Sequence, residues 1–262
     1  MKLIHKKKKT ILLVSVAALF IYLGCVLFVR TSYKLESINK LSSPVSTSTE
    51  SLPMERINTR TTNEKYYVSS IDIPLDNMSV GGRVVAEYQK WLSETGLLDI
   101  KTKEAAEKLG LSDTRKYEYE AKLKIYENEK YISYVYEILN ETGGAHPNTY
   151  HTIFNYRKSD GKEIVSISDL YVDSIYETLS KLSRSDLRTQ FMSTGNSADT
   201  LDDMMGEMFI SGTEAKAENF SRFYFKDKNT LTIVFDKYAI GPYSIGDWDT
   251  DISLYSLKGL LR

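Results

Sequence analysis

From Tyr117 onward, Tyr117, Tyr119, Ala121, Leu123 and Ile125 alternate with charged residues. A period of two puts one set of side chains on a buried face and the other in water, which is the pattern of a half-exposed strand. Glu127-Asn128-Glu129-Lys130 follows as a turn, and Tyr131 to Leu139 return as the partner strand. The same arrangement recurs. Tyr150, Thr152, Phe154 and Tyr156 alternate ahead of a Ser159-Asp160-Gly161 turn, and the run from Phe223 to Ile240 folds back at Asp227-Lys228-Asn229. A first strand is expected over Tyr66–Leu75, stopped by Pro74. Asp249 to Leu261 predict a short last strand and a turn or helical tail.

Helical patterns lie between these hairpins. Val84, Val85, Tyr88, Trp91 and Leu92 share one helical face before Gly96, and residues 101–110 give a second pattern closed by Gly110. A third helix is expected over about 172–192, with short helices and loops from 193 to 221. Strands that come as hairpins, mixed with helices, point to an α+β fold with an antiparallel sheet rather than a parallel βαβ fold.

The N-terminus carries a different signal. Lys2 and Lys6 to Lys9 form a basic block, and Ile11 to Val29 run 19 residues without a charge. About 20 apolar residues span a bilayer core, and positive charge stays on the cytoplasmic side. The expectation is a single-pass protein of the cell membrane: tail 1–9 cytoplasmic, anchor 10–30, body extracytoplasmic. A cleaved signal or a lipoprotein signal at Cys25 are the alternatives. The apolar run continues past Cys25 and Leu23 stands where a lipoprotein signal has a small residue. Residues 31–64, with LSSPVSTSTESLP, are too polar to bury a core and read as a flexible stalk.

Composition narrows function. The formal net charge of −1 hides an asymmetry: six of the 34 basic residues and none of the 35 acidic ones lie in the first 30 positions. The remainder holds 28 basic against 35 acidic residues, a net of −7, which suits no nucleic acid. With Cys25 the only cysteine, the chain offers no intrachain disulfide and no cysteine-based zinc site. No nucleophile elbow, P-loop or H-E-x-x-H motif occurs. No cofactor is expected.

Two segments resemble a known family. Glu141-Thr-Gly-Gly-Ala-His-Pro-Asn-Thr-Tyr150 is similar to the TGGAH-x-N-x-Y segment of domain-of-unknown-function family 3298. Asn155 to Lys162 with Ser168-Asp169-Leu170-Tyr171, and Phe223-Tyr224-Phe225 with Val234 to Tyr243, resemble that family's later hairpin and its close. Gly241 and the run Ser244 to Asp249 depart from the family pattern, and residues 193–221 have no clear counterpart there. Residues 66–140 resemble the smaller family 4163, which precedes it. The resemblance implies two small subdomains, 65–140 and 141–262. It also implies the ectodomain type of the lysozyme-sensing anti-sigma factor RsiV and of the N-terminal part of the peptidoglycan deacetylase PdaC. Over these 262 residues neither a deacetylase domain nor a cytoplasmic sigma-binding segment is expected. The function so implied is a non-catalytic, membrane-anchored module that binds a cell-envelope ligand, either a basic lysozyme-like protein or a cell-wall glycan. A wall-modifying hydrolase or deacetylase, or an envelope assembly protein, is the alternative.

The candidate ligand-binding residues follow: Gly143, Gly144, His146, Asn148, Tyr150, Pro242, Tyr243 and Trp248. Adjacent glycines permit positive φ, and Pro147 keeps His146 extended. Tyr243 and Trp248 are the best candidates for exposed aromatic contacts, although core packing is the commoner fate of a tyrosine. His146 and His151, with Asp247, Asp249 and Asp251, would have to converge in space to support metal binding or catalysis, and nothing in their spacing requires it.

Overall fold

A computed structural model describes residues 56–112, 114–194 and 206–262. The expected tail, anchor and most of the stalk, residues 1–55, lie outside the described residues. Among the described residues no helix is long and apolar enough to cross a membrane.

The chain builds a six-stranded sheet in sequence order: β1 (Ile57–Asn63), β2 (Tyr67–Pro74), β3 (Tyr117–Glu127), β4 (Tyr131–Glu141), β5 (Asn148–Arg157) and β6 (Glu163–Ile164). The hairpins are where the alternation puts them. At the β3–β4 turn the Asn128 side chain accepts from the backbone N–H groups of Lys130 and Tyr131, each at 2.9 Å. This is a local side-chain turn of the kind asparagine favours.

Two expectations are corrected. β2 and β3 run parallel, with Tyr67 opposite Tyr117. Their connection holds helices α1 (Met78–Glu94) and α2 (Lys103–Lys108) and is long enough for the crossover that parallel strands need. Residues 57–63, at the end of the expected stalk, are strand β1, paired antiparallel with β2 along its length. The pattern INTRTTN buries almost nothing, so its apolar content is silent; backbone pairing and the ion pair of Arg56 with Glu127 at 2.6 Å hold it.

Each face of this sheet has its own neighbour. Ile71, Ile73, Tyr119, Ala121, Leu123, Tyr136, Ile138 and Phe154 form a core with Val80, Val84, Trp91 and Leu92 of α1. The other face meets a three-stranded antiparallel sheet of β7 (Phe223–Phe225), β8 (Thr230–Phe235) and β9 (Trp248–Ser253). Phe223, Phe225, Leu231, Ile233, Phe235 and Ile252 of that second sheet pack with Ile175, Leu179, Leu187 and Phe191 of α3 (Ile175–Ser193) into a separate core. Between the sheets, Val135 packs with Tyr224 and Val234.

A buried polar chain fixes how the sheets meet. Ser133 Oγ donates to Asn155 Oδ1 at 2.7 Å, Asn155 Nδ2 donates to the Phe223 carbonyl at 2.8 Å, and Phe225 N–H donates to Ser133 Oγ at 3.1 Å. Ser133 and Asn155 are register partners within the first sheet and each also bonds to β7, so sliding one sheet on the other would break the two bonds that cross the joint. The described residues belong to one compact unit, Leu52–Arg262. The expected boundary at 140/141 falls inside the last residues of β4, which pairs with β5 from Tyr131 opposite Arg157 to Asn140 opposite Asn148. The sheet is therefore continuous across it.

Candidate functional site

The two motif segments, far apart in the chain, meet at the end of the molecule where β5 begins and β8 ends. Gly143 has φ +80, a value glycine tolerates at no steric cost, and its carbonyl accepts from Arg115 Nη2 at 2.7 Å. The chain then runs through His146 and Pro147 into β5. From the other side, residues 236–243 leave β8 and cross over this loop.

The contact is aromatic. The His146 and Tyr243 rings stack with centroids 3.6 Å apart, and the Tyr243 hydroxyl donates to the Pro147 carbonyl at 3.1 Å. Lys237 Nζ lies 4.8 Å from the Tyr243 ring centroid and donates to Thr149 Oγ1. Tyr238 completes the group, its ring 5.8 Å from Tyr243 and its hydroxyl 3.5 Å from His146 Nε2.

Tyr238 is unusual in two ways. It has φ +67, alone in that region among the described non-glycine residues, and 54% of it is exposed. A bulky residue held there costs energy that the surroundings must supply. Gly212 is part of those surroundings: a Cβ on it would stand 1.8 Å from the Ala239 carbonyl oxygen. The 206–212 helix thus seats its glycine directly against the 236–243 backbone.

Beside this junction a cleft of about 320 Å³ opens between the two sheets. Lys122, Lys124 and Glu137 come from the first sheet, with His151 beside Glu137 on β5; Asp247, Trp248 and Asp249 come from the second. His151 and Asp236 link the walls. Asp236, buried, accepts from His151 Nδ1 at 2.6 Å, from the His151 backbone N–H at 3.1 Å and from Arg222 Nε at 2.7 Å. Burial opposes a charge on His151. The Asp236 hydrogen bond and charge, helped by Asp247 and Glu137, outweigh it and hold the imidazole above its ordinary value. On the far wall, removal from water and the neighbouring Asp251 raise the Asp249 carboxyl.

The sequence-derived residues divide. His146, Pro242 and Tyr243 belong to the loop junction, Gly143 and Gly144 to the loop that feeds it, and Asn148 opens β5 opposite Asn140. Gly144 has no close neighbour that would exclude a side chain. Tyr150 lies on the opposite face of β5, where its hydroxyl donates to Glu87 of α1 at 2.7 Å. Trp248 lines the cleft but is half-buried, its Nε1 donating to the Ile245 carbonyl at 2.9 Å and its ring 6.2 Å from Phe191. His151 converges with Asp247 and Asp249 in the cleft, whereas His146 sits with the tyrosines. Among the described residues no group of His, Cys, Asp and Glu is placed to hold a metal ion. Asp236 and Tyr238 were missed. Tyr238 stands inside a motif-bearing segment, but only its backbone conformation distinguishes it from the other tyrosines.

Residues 168–255 match the family described as protein of unknown function, DUF3298. That range takes in α3 and the whole second sheet, and stops short of the Glu141–Tyr150 segment. A DUF3298 family domain therefore occupies residues 168–255. Two solved DUF3298 family structures share the fold. One, from Bacteroides fragilis, is 16% identical with a TM-score of 0.56, covering 79% of this chain and 93% of its own. The other, from Pseudomonas aeruginosa PAO1, is 16% identical with a TM-score of 0.55, covering 79% and 92%. No curated protein matches the sequence.

Proposed function

We propose that this chain is a membrane-anchored, extracytoplasmic recognition module, non-catalytic, that binds a cell-envelope ligand through the His146–Tyr238–Tyr243 junction. The ligand is a basic lysozyme-like protein or peptidoglycan, as in the RsiV ectodomain and the 4163-type and 3298-type pair that precedes the PdaC catalytic domain. The observation that carries this reading is Tyr238, an exposed aromatic side chain held at positive φ by a backbone clamped on Gly212. Rigid exposed aromatic groups are the residues that anchor protein partners and stack on sugar rings. The uncharged run Ile11–Val29 and the acidic remainder of the chain support the location and a basic partner.

The test is calorimetry of the full chain in mild detergent with lysozyme, alongside co-sedimentation with purified peptidoglycan. One of the two should bind, and Tyr238→Gly should weaken that binding about tenfold or more, as loss of an interface anchor does. Binding to neither, or binding indifferent to Tyr238 and Tyr243, rejects the reading. A second reading, a wall-modifying hydrolase or deacetylase, draws on the His151–Asp236 pair in the cleft wall. Release of soluble sugar or acetate from peptidoglycan, lost in His151→Gln, would establish it.

A further inference from the structure

We propose that the cleft between the two sheets is a second binding site, for a small zwitterion whose carboxylate meets Lys122 and Lys124 and whose ammonium meets Glu137, Asp247 and Asp249.

The walls carry the argument. Lys122 and Lys124 sit two residues apart on the outward face of β3, and Glu137 lies opposite Lys122 in the β3–β4 register. Asp249 projects from β9 on the second sheet. Charges of both signs thus line one cavity, and several do not neutralise one another. The charged groups of Lys124, Glu137 and Asp249 make no hydrogen bond or ion pair among the described residues, while Lys122 bridges Glu120 at 2.8 Å and Asp247 accepts from Lys237 N–H at 2.9 Å.

On an open surface such side chains swing together. Here the unpaired three, Lys124, Glu137 and Asp249, ride on β3, β4 and β9, and the Ser133–Asn155–Phe223 chain holds the two sheets at a set distance. Val135, Val234, Tyr126 and Tyr224 close the space between the sheets with apolar and aromatic groups.

Selectivity follows from charge. A simple anion entering for the lysines meets three carboxylates, and a simple cation entering for the carboxylates meets two lysines and His151. A molecule with both charges on a short backbone satisfies both sets with charge-assisted hydrogen bonds. The volume of about 320 Å³ is at the small end of ligand sites, which suits an amino acid, a dipeptide or the end of a peptide rather than a folded partner. The cleft chemistry is independent of the envelope role proposed above; only the naming of a wall peptide as source rests on it.

The experiment titrates the full chain in mild detergent with alanyl-alanine and with a peptidoglycan stem tetrapeptide, each free, amidated at its carboxylates, or acetylated at its amines. At least one free peptide should bind, and blocking either end should weaken it about tenfold, the worth of one charge-assisted hydrogen bond. Lys124→Met should remove sensitivity to amidation and Asp249→Asn sensitivity to acetylation. Asp249→Asn is expected to fold, since the native surroundings already disfavour that charge. Preference for the tetrapeptide identifies a wall peptide as the source; equal binding of both identifies free peptides. No binding, equal binding of blocked and free peptides, or affinity unchanged in both variants overturns the proposal.

Lysozyme and peptidoglycan binding are measured on the same samples. Tyr238-dependent binding without peptide binding overturns the cleft and leaves the junction. Peptide binding without lysozyme or peptidoglycan binding does the reverse.

Discussion

Tyr238, Gly212 and His151 are single positions at which local preference and tertiary demand collide, and each makes a different prediction. Replacing Tyr238 by glycine removes a left-handed penalty of about 1–2 kcal/mol and restores about 0.5–1 kcal/mol of unfolded-state entropy. Stability measured by urea unfolding should therefore stay level or rise by up to about 1.5 kcal/mol while ligand binding falls. A stabilised variant that binds normally would separate Tyr238 from function. Gly212→Ala meets backbone, not a flexible side chain. Its cost is overpacking, about 1–3 kcal/mol, to be read as a lowered unfolding midpoint. For His151 the native value is raised above the ordinary 6.5. Its pairing with Asp236 therefore contributes fully below about pH 6.5. That contribution is lost as pH rises through the higher native value. Wild-type stability should fall across this window, and His151→Gln should flatten the profile. A variant with the wild-type slope would locate the pH dependence elsewhere.

At the level of elements, the decisive feature is the polar joint between sheets. Asn155 is the hinge pin of that joint, because its side chain holds one partner on β4 and another on β7. Asn155→Leu keeps the volume but strands the Phe223 carbonyl, a loss of about 1–3 kcal/mol. Amide exchange at Phe225 should accelerate before exchange in β3 and β4, whose ladder is intact. Uniform acceleration throughout would mean that the two sheets open as one. The elements themselves were legible to different degrees. The β3–β4 and β5–β6 hairpins and helix α1 could be read because each buries one face and shows its period. β1 could not, since six of its seven residues are polar and its strand character comes from the edge it pairs with. The parallel β2–β3 pair was hidden as well, because neither strand states which neighbour it will have.

For the whole molecule, charge and core layout matter most. The described residues hold two separate cores, one under α1 and one under α3, and the DUF3298 match coincides with the second. The net of −7 beyond residue 30 spreads over both. Association with a basic protein should therefore slow as salt rises from about 50 to 500 mM, with the dissociation rate changing less, because long-range attraction is screened on the scale of the Debye length. Salt-independent association kinetics would show that the acidic balance serves solubility alone.

Periodicity is a local property, and the sequence by itself determined what depends on it: the α+β class, the main hairpins and the helices with one apolar face. It also marked the segment 141–150 and the residues Pro242, Tyr243 and Trp248 as positions of interest. What these do to each other was decided only in three dimensions. Tyr243 reaches a carbonyl 96 residues away, and His151 an aspartate 85 residues away. Such contacts depend on the stacking of two sheets, on their register, and on a glycine in a third element that fits against a backbone carbonyl. No spacing along the chain encodes those distances, because they arise from packing between surfaces whose separate patterns are each complete without the other.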